Sequence, residues 1–121
     1  MLGGNKFSGL AWLYLFGYSR NINTILRTET FDIWLTKLKD ARGKARIIER
    51  IRSAERGNFG DCESVGQGVS EMRVHFGPGY CVYFSRIGAV VYVLLCGGVK
   101  RNQQRDIAKA QEMARMLKEE E

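Results

Sequence analysis

The chain has 121 residues, 45% of them hydrophobic, and its 19 basic against 13 acidic residues leave a net charge of +6. That length suits one domain with a real core, and the basic surplus directs attention to a polyanionic partner: nucleic acid, an anionic membrane surface or an acidic protein. Three cysteines without CxxC spacing (Cys62, Cys81 and Cys96) and a single histidine exclude a disulfide framework and make no zinc or iron–sulfur set, so the reading is a cytoplasmic protein with no metal and no cofactor.

The amino-terminal part is unusual. Leu10 to Phe16 is a run of seven apolar or aromatic residues, and no acidic residue precedes Glu29. The run is too short to cross a bilayer, so no membrane partner is expected. It lacks the small-residue cleavage site of a signal peptide. The expectation is a packed extra element or a start site set too far upstream, with residues 1–22 an atypical extension and 23–121 a single domain.

Asn23 to Arg27 reads as a short strand. Thr28 then offers a helix cap with Glu29 in the first turn, where the helix dipole favours an anion. Phe31, Trp34, Leu35 and Leu38 follow at i, i+3, i+4 and i+7, one apolar face over two turns. Asp40 caps a second predicted helix, which runs to about Arg56 with Gly57 placed to end it. Its apolar stripe is Ile47, Ile48, Ile51 and Ala54. Its other faces carry Arg42, Lys44, Arg46, Arg50, Arg52 and Arg56 against only Glu49 and Glu55, a bias in sign that suits a phosphate backbone.

"GNFGDCESVGQG" reads as a loop, after which the period changes to two. Val69 to Phe76 alternates so that Glu71, Arg73 and His75 share one outward face of a strand. "GPGY" fits a type II turn with Pro78 at its second position and Gly79 at the position needing positive φ. Tyr80 to Arg86 returns, Gly88 turns again, and "AVVYVLLC" is nearly all apolar and reads as the sheet's centre. Gly97-Gly98 is expected to break that strand. A last helix starts near Gln103 with Ile107, Ala110, Ala114 and Leu117 on its buried side. The predicted order is β-α-α-β-β-β-α, an α+β domain with helices against a small, largely antiparallel sheet.

A rigid hairpin fixes Arg73 and His75 relative to Tyr80 and Cys81, and the apolar strand delivers Lys100 and Arg101 at its end. Cleaving RNA through its own 2′-OH needs a proton acceptor, a proton donor for the leaving 5′-oxygen, and cations for the charge on the phosphorane. His75, with an ordinary pKa near 6.5, moves protons at neutral pH; a tyrosine or Glu71 serves at the other end. Each signal also has a structural reading: a lone histidine on a strand is more often exposed or structural, and strands favour tyrosine in any case.

"SEMRVHFGPGYCVYF" and "VVYVLLCGGVKRNQQRDIAKAQEMA", preceded by "TETFDIWLTKLKDARGKARIIERI", resemble the RelE/ParE superfamily of type II toxin–antitoxin toxins, in particular its phage-derived, HigB-like "addiction module killer" branch. The resemblance covers about Thr28 to Leu117. It implies a microbial RNase-like fold and a cognate antitoxin, a helix-turn-helix protein of the HigA type. It also implies metal-independent cleavage of mRNA on the ribosome, so mRNA and the ribosome are expected partners; ParE-like members instead poison DNA gyrase. Carried over by position, Arg73, His75, Tyr80, Lys100 and Arg101 fall where ribonuclease members gather catalytic groups. Arg42, Lys44, Arg46, Arg50 and Arg52 fall where they bind RNA. Cys81 stands where the family has a phosphate-binding arginine, and Val99 where an acidic or polar residue is usual. A catalytically weakened homologue that still binds its antitoxin is therefore a further expectation.

Overall fold

The computed structural model describes residues 21–120; the Leu10–Phe16 run and nearly all of the proposed extension lie outside them. The elements run β1 (Thr24–Arg27), α1 (Glu29–Lys37), α2 (Ala41–Glu55), β2 (Cys62–Gly66), β3 (Val69–Val74), β4 (Tyr80–Arg86), β5 (Val91–Val99), a single 3-10 turn (Lys100–Asn102) and α3 (Gln103–Glu119). Both expected caps form. The Thr28 hydroxyl accepts from the Phe31 amide at 3.0 Å and donates to the Leu95 carbonyl at 2.7 Å, so the cap also pins α1 to β5. Asp40 accepts from the Gly43 amide at 3.0 Å, and Gly57, at φ +99°, closes α2 in the left-handed region that glycine enters without strain.

The five strands form one mixed sheet in the order β1-β5-β4-β3-β2; β1 runs parallel to β5 and the remaining pairs are antiparallel. Alternation along β3 and β4 divides the core in two. Met72, Val74, Tyr80, Val82 and Phe84 face α1 and α2, where they meet Phe31, Leu35, Ile47, Ile51 and Ala54. Val69, Cys81, Tyr83, Leu95 and Cys96 face α3 around Ala110. Phe31 and Ile47 are fully buried; each contributes about 1.5–3 kcal/mol from apolar burial. The α+β class holds, with helices on both faces of the sheet.

Four local expectations are corrected. The Gly-rich stretch contains β2, so the order is β-α-α-β-β-β-β-α; β2 is a mostly exposed edge strand and carries no apolar alternation to betray it. The middle strand is β4, not the more apolar β5. The hairpin turn closes one residue early, with the Gly79 amide donating to the Phe76 carbonyl at 2.9 Å, Gly77 at φ +57° and Pro78 after it; Gly79 has positive φ as expected. Gly97 and Gly98 do not break β5, which continues to Val99. They are there because neighbours lie too close for a side chain. A Cβ on Gly97 would sit 2.5 Å from two ring carbons of Trp34, and one on Gly98 would sit 1.9 Å from an Asp106 carboxylate oxygen.

Candidate functional site

Strand register gathers the candidate residues at one end of the sheet. Arg73 lies opposite Cys81, Val74 opposite Tyr80, Tyr80 opposite Val99 and Cys81 opposite Gly98, so His75, Gly79 and Lys100 leave their strands side by side. The Lys100 amide donates to the Gly79 carbonyl at 2.9 Å, which fixes the turn against the end of β5. Between them lies a cleft of about 30 Å³ lined by Arg73, His75, Gly79, Tyr80, Cys81, Lys100 and Gln103. That volume holds a water or one phosphate oxygen at the floor of a cleft that opens to solvent.

His75 is exposed, and its Nε2 lies 2.6 Å from Asp61 Oδ2. With Nε2 donating to the carboxylate, Nδ1 is the nitrogen left to accept a proton. Asp61 is held below the ordinary carboxylate range, chiefly by the hydrogen bond from His75 and then by Arg73. Sequence reasoning missed Asp61 because it belongs to the stretch read as a loop, and only the β2–β3 pairing carries it to His75.

Arg73 has company of the opposite sign. Its guanidinium lies 3.1 Å from Asp61, 2.9 Å from Glu63 and 4.0 Å from Glu71. The bonds to Glu63 and then Asp61 hold it above its ordinary pKa. Glu71 is not on an open face as expected but buried, where it accepts from the Tyr83 hydroxyl at 3.0 Å and the Gln103 amide at 2.8 Å. Each buried carboxylate lone pair needs such a partner. Tyr83, whose pKa is raised chiefly by burial, therefore serves the core.

Tyr80 contributes to the cleft wall, but its hydroxyl donates to Asp40 at 2.6 Å, on the side of the sheet covered by α2. Burial first, and Asp40 second, push it up to about 12. It ties the start of β4 to the cap of α2, which is a positioning role. Cys81, buried and pushed up to about 11 chiefly by burial, supplies no charge to the cleft. Lys100 reaches the cleft with no ion-pair partner among the described residues, whereas Arg101 is exposed on the 3-10 turn and lies outside the lining.

The basic helix divides in the same way. Arg50 spends its guanidinium on the carbonyls of Arg73, Phe59 and Asp61, so it locks the 59–61 segment beneath His75 rather than facing solvent. The Lys44 ammonium donates to the Thr36 carbonyl at 3.3 Å. Arg42, Arg46 and Arg52 are exposed. Arg46 lies over the ring of Phe76, its guanidinium carbon 4.7 Å from the centroid.

An uncharacterized protein of Haemophilus influenzae is 47% identical to this chain over 93 residues, spanning 77% of the chain and 94% of that protein. The chain belongs to that protein's family. No family model matches it. The geometry reduces the candidate machinery to His75 with Asp61, Lys100, and the exposed arginines of α2. No helix among the described residues is long and apolar enough to cross a membrane.

Proposed function

We propose that this chain is the toxin of a type II toxin–antitoxin pair, of the RelE/ParE superfamily and its HigB-like branch, acting as an endoribonuclease on mRNA held by the ribosome. The observation that carries the reading is the cleft in which a carboxylate-supported imidazole and an ammonium with no ion-pair partner among the described residues flank space for a phosphate oxygen. His75 Nδ1 takes the proton of a 2′-hydroxyl, whose oxygen attacks the adjacent phosphorus. The bond from phosphorus to the 5′-oxygen breaks, leaving a 2′,3′-cyclic phosphate and a 5′-hydroxyl. Lys100 is the lining cation without an ion-pair partner among the described residues. It neutralises the phosphorane and gives the leaving oxygen its proton. A general base of this kind contributes about 10²–10⁴ in rate.

Inducing the wild-type chain and a His75→Ala/Lys100→Ala variant in a bacterium tests this reading. The wild type should arrest growth with cut transcripts and the variant should not. Equal arrest by both with intact mRNA would sink it, and arrest with lost DNA supercoiling would point to a gyrase poison instead.

A second reading has its own observation. Arg73 is matched by Asp61, Glu63 and Glu71, and Cys81 brings no cation. The cleft therefore holds less positive charge than the resemblance to arginine-bearing toxins implies. On this reading the chain is a weakened nuclease that keeps a HigA-type antitoxin as its partner. Measuring its cleavage rate before and after Cys81→Arg separates the two.

A further inference from the structure

We propose that Phe76 and Arg46 form a stacking subsite for one unpaired nucleobase, next to the phosphate held by His75 and Lys100. The inference rests on the nuclease reading above and adds to it a role for the side of the hairpin tip that carries no proton chemistry. Phe76 follows His75 directly at the hairpin tip, its ring against the α1/α2 core while His75 pairs with Asp61, so a strand that crosses the tip with a phosphate oxygen in the cleft passes both. Phe76 is half-buried against the α1/α2 core, which fixes its ring. Arg46 caps the ring with its guanidinium carbon 4.7 Å from the centroid.

The surface around this pair is a shallow depression of about 460 Å³, open to solvent and lined by Arg42, Ala45, Arg46, Glu49 and Phe76. It is far larger than the proton-transfer cleft. Its one carboxylate, Glu49, pairs with Arg56 at 3.7 Å, so Arg42 and Arg46 give the depression a positive balance. A planar guanidinium backed by an aromatic ring presents a flat, weakly hydrated cationic face, and such a face takes the π-surface of any base. Arg42, at the rim, is placed for a neighbouring phosphate. The occupant is therefore single-stranded RNA, bound by stacking at Arg46 and by charge at Arg42.

The test uses the full chain and a short single-stranded oligoribonucleotide with 2-aminopurine beside the scissile position and 2′-O-methyl riboses that prevent cleavage. Wild type should quench the 2-aminopurine on binding. Arg46→Lys keeps the charge but not the plane; it should abolish the quench and weaken binding roughly five- to 150-fold, with the salt dependence unchanged. Phe76→Tyr should bind as wild type. Phe76→Ala should lose as much as Arg46→Lys, and the two together little more, because the ring acts through the guanidinium. Thermal melting checks that Phe76→Ala still folds, and Arg46→Lys, at an exposed position, decides the matter if it does not.

Arg46→Lys binding as tightly as wild type would reduce Arg46 to a phosphate contact and overturn the subsite. Unchanged RNA binding by Arg46→Lys and Phe76→Ala, with weakened capture of a helix-turn-helix antitoxin, would make the surface a protein interface and overturn it equally. A normal quench with no ribosomal cleavage by wild type would leave the subsite standing and sink the nuclease reading instead.

Discussion

Replacing Gly97 with alanine puts a methyl group 2.5 Å from two ring carbons of Trp34 and 2.9 Å from a third. Carbon atoms pack at about 3.5–4.0 Å, so the indole must retreat by about 1 Å. Phe31, tilted at 5.8 Å, and Tyr80, edge-on at 6.3 Å between centroids, close two of its directions, so the half-buried ring yields only by moving toward solvent and giving up those contacts. Overpacking of this kind costs about 1–3 kcal/mol. For a domain of this size each kcal/mol lowers Tm by about 4–8 °C, so Gly97→Ala should melt about 4–24 °C below wild type. Trp34→Leu removes the opposing ring and destabilises by itself. The double variant should lose clearly less than the sum of the two single losses. Calorimetry on the four proteins completes the cycle. An unchanged Tm for Gly97→Ala, or strict additivity, would refute the close-packing account of the Gly-Gly pair and return it to the role of a strand breaker.

Tyr83→Phe removes one of the donors to the buried Glu71 and should cost about 1.5–3 kcal/mol in denaturant unfolding, with ribosomal cleavage unaffected if Tyr83 serves only the core. Asp61→Asn should leave the fold intact and lower the cleavage rate, and nitrogen NMR should show the His75 ring losing its single fixed tautomer; a wild-type tautomer in that variant would remove Asp61 from the account. Asp40 and Asp61 are both held below the ordinary carboxylate value of 3.8, by the Tyr80 hydroxyl and by His75 respectively. Their folded-state pKa values are depressed, so the unfolded chain binds more protons. Their contribution is present above pH 3.8 and is lost as pH falls through the folded values. Asp40→Asn should therefore flatten the acid limb of a stability–pH profile and leave the neutral plateau's slope alone. Among the thiols, Cys81 and Cys96 are buried and pushed up to about 11, while Cys62 is half-exposed and raised by burial. A disulfide reagent should accordingly titrate Cys62 first in the native protein and the other two only on unfolding.

Much of the scaffold was legible because its signals are local. Thr28, Asp40 and Gly57 mark helix ends through bonds to residues three or four positions away, and β4 was bounded correctly by its turns. What escaped depends on distant neighbours. Glycine's poor strand propensity argued that Gly97-Gly98 ends β5, while the deciding facts are Trp34, some sixty residues upstream, and Asp106 on the following helix. The polar edge strand β2 carries no apolar period, yet it delivers Asp61 and Glu63 to His75 and Arg73.

The candidate site was legible in its residue types and in where they gather, and less so in their roles. Period-two alternation puts Tyr80 and Cys81 on opposite faces, so the tyrosine that a composition argument would use as an acid is drawn to Asp40. Arg50 lies one helical turn beyond Arg46 on the same side of α2, but there the carbonyls of Phe59, Asp61 and Arg73 take up its guanidinium. Charge counting along a helix cannot see that difference, because it arises from where the 59–61 segment lies.

The most direct trial is a purified translation system in which ribosomes paused on a defined mRNA receive wild-type protein, His75→Ala or Lys100→Ala, followed by mapping of the RNA ends. Wild type should cut at the codon under decoding and leave a cyclic phosphate with a 5′-hydroxyl, and each variant should be slower by about a hundredfold or more. Intact message with the wild type, or cutting by His75→Ala at the wild-type rate, would contradict a proton-transferring cleft at the end of this sheet.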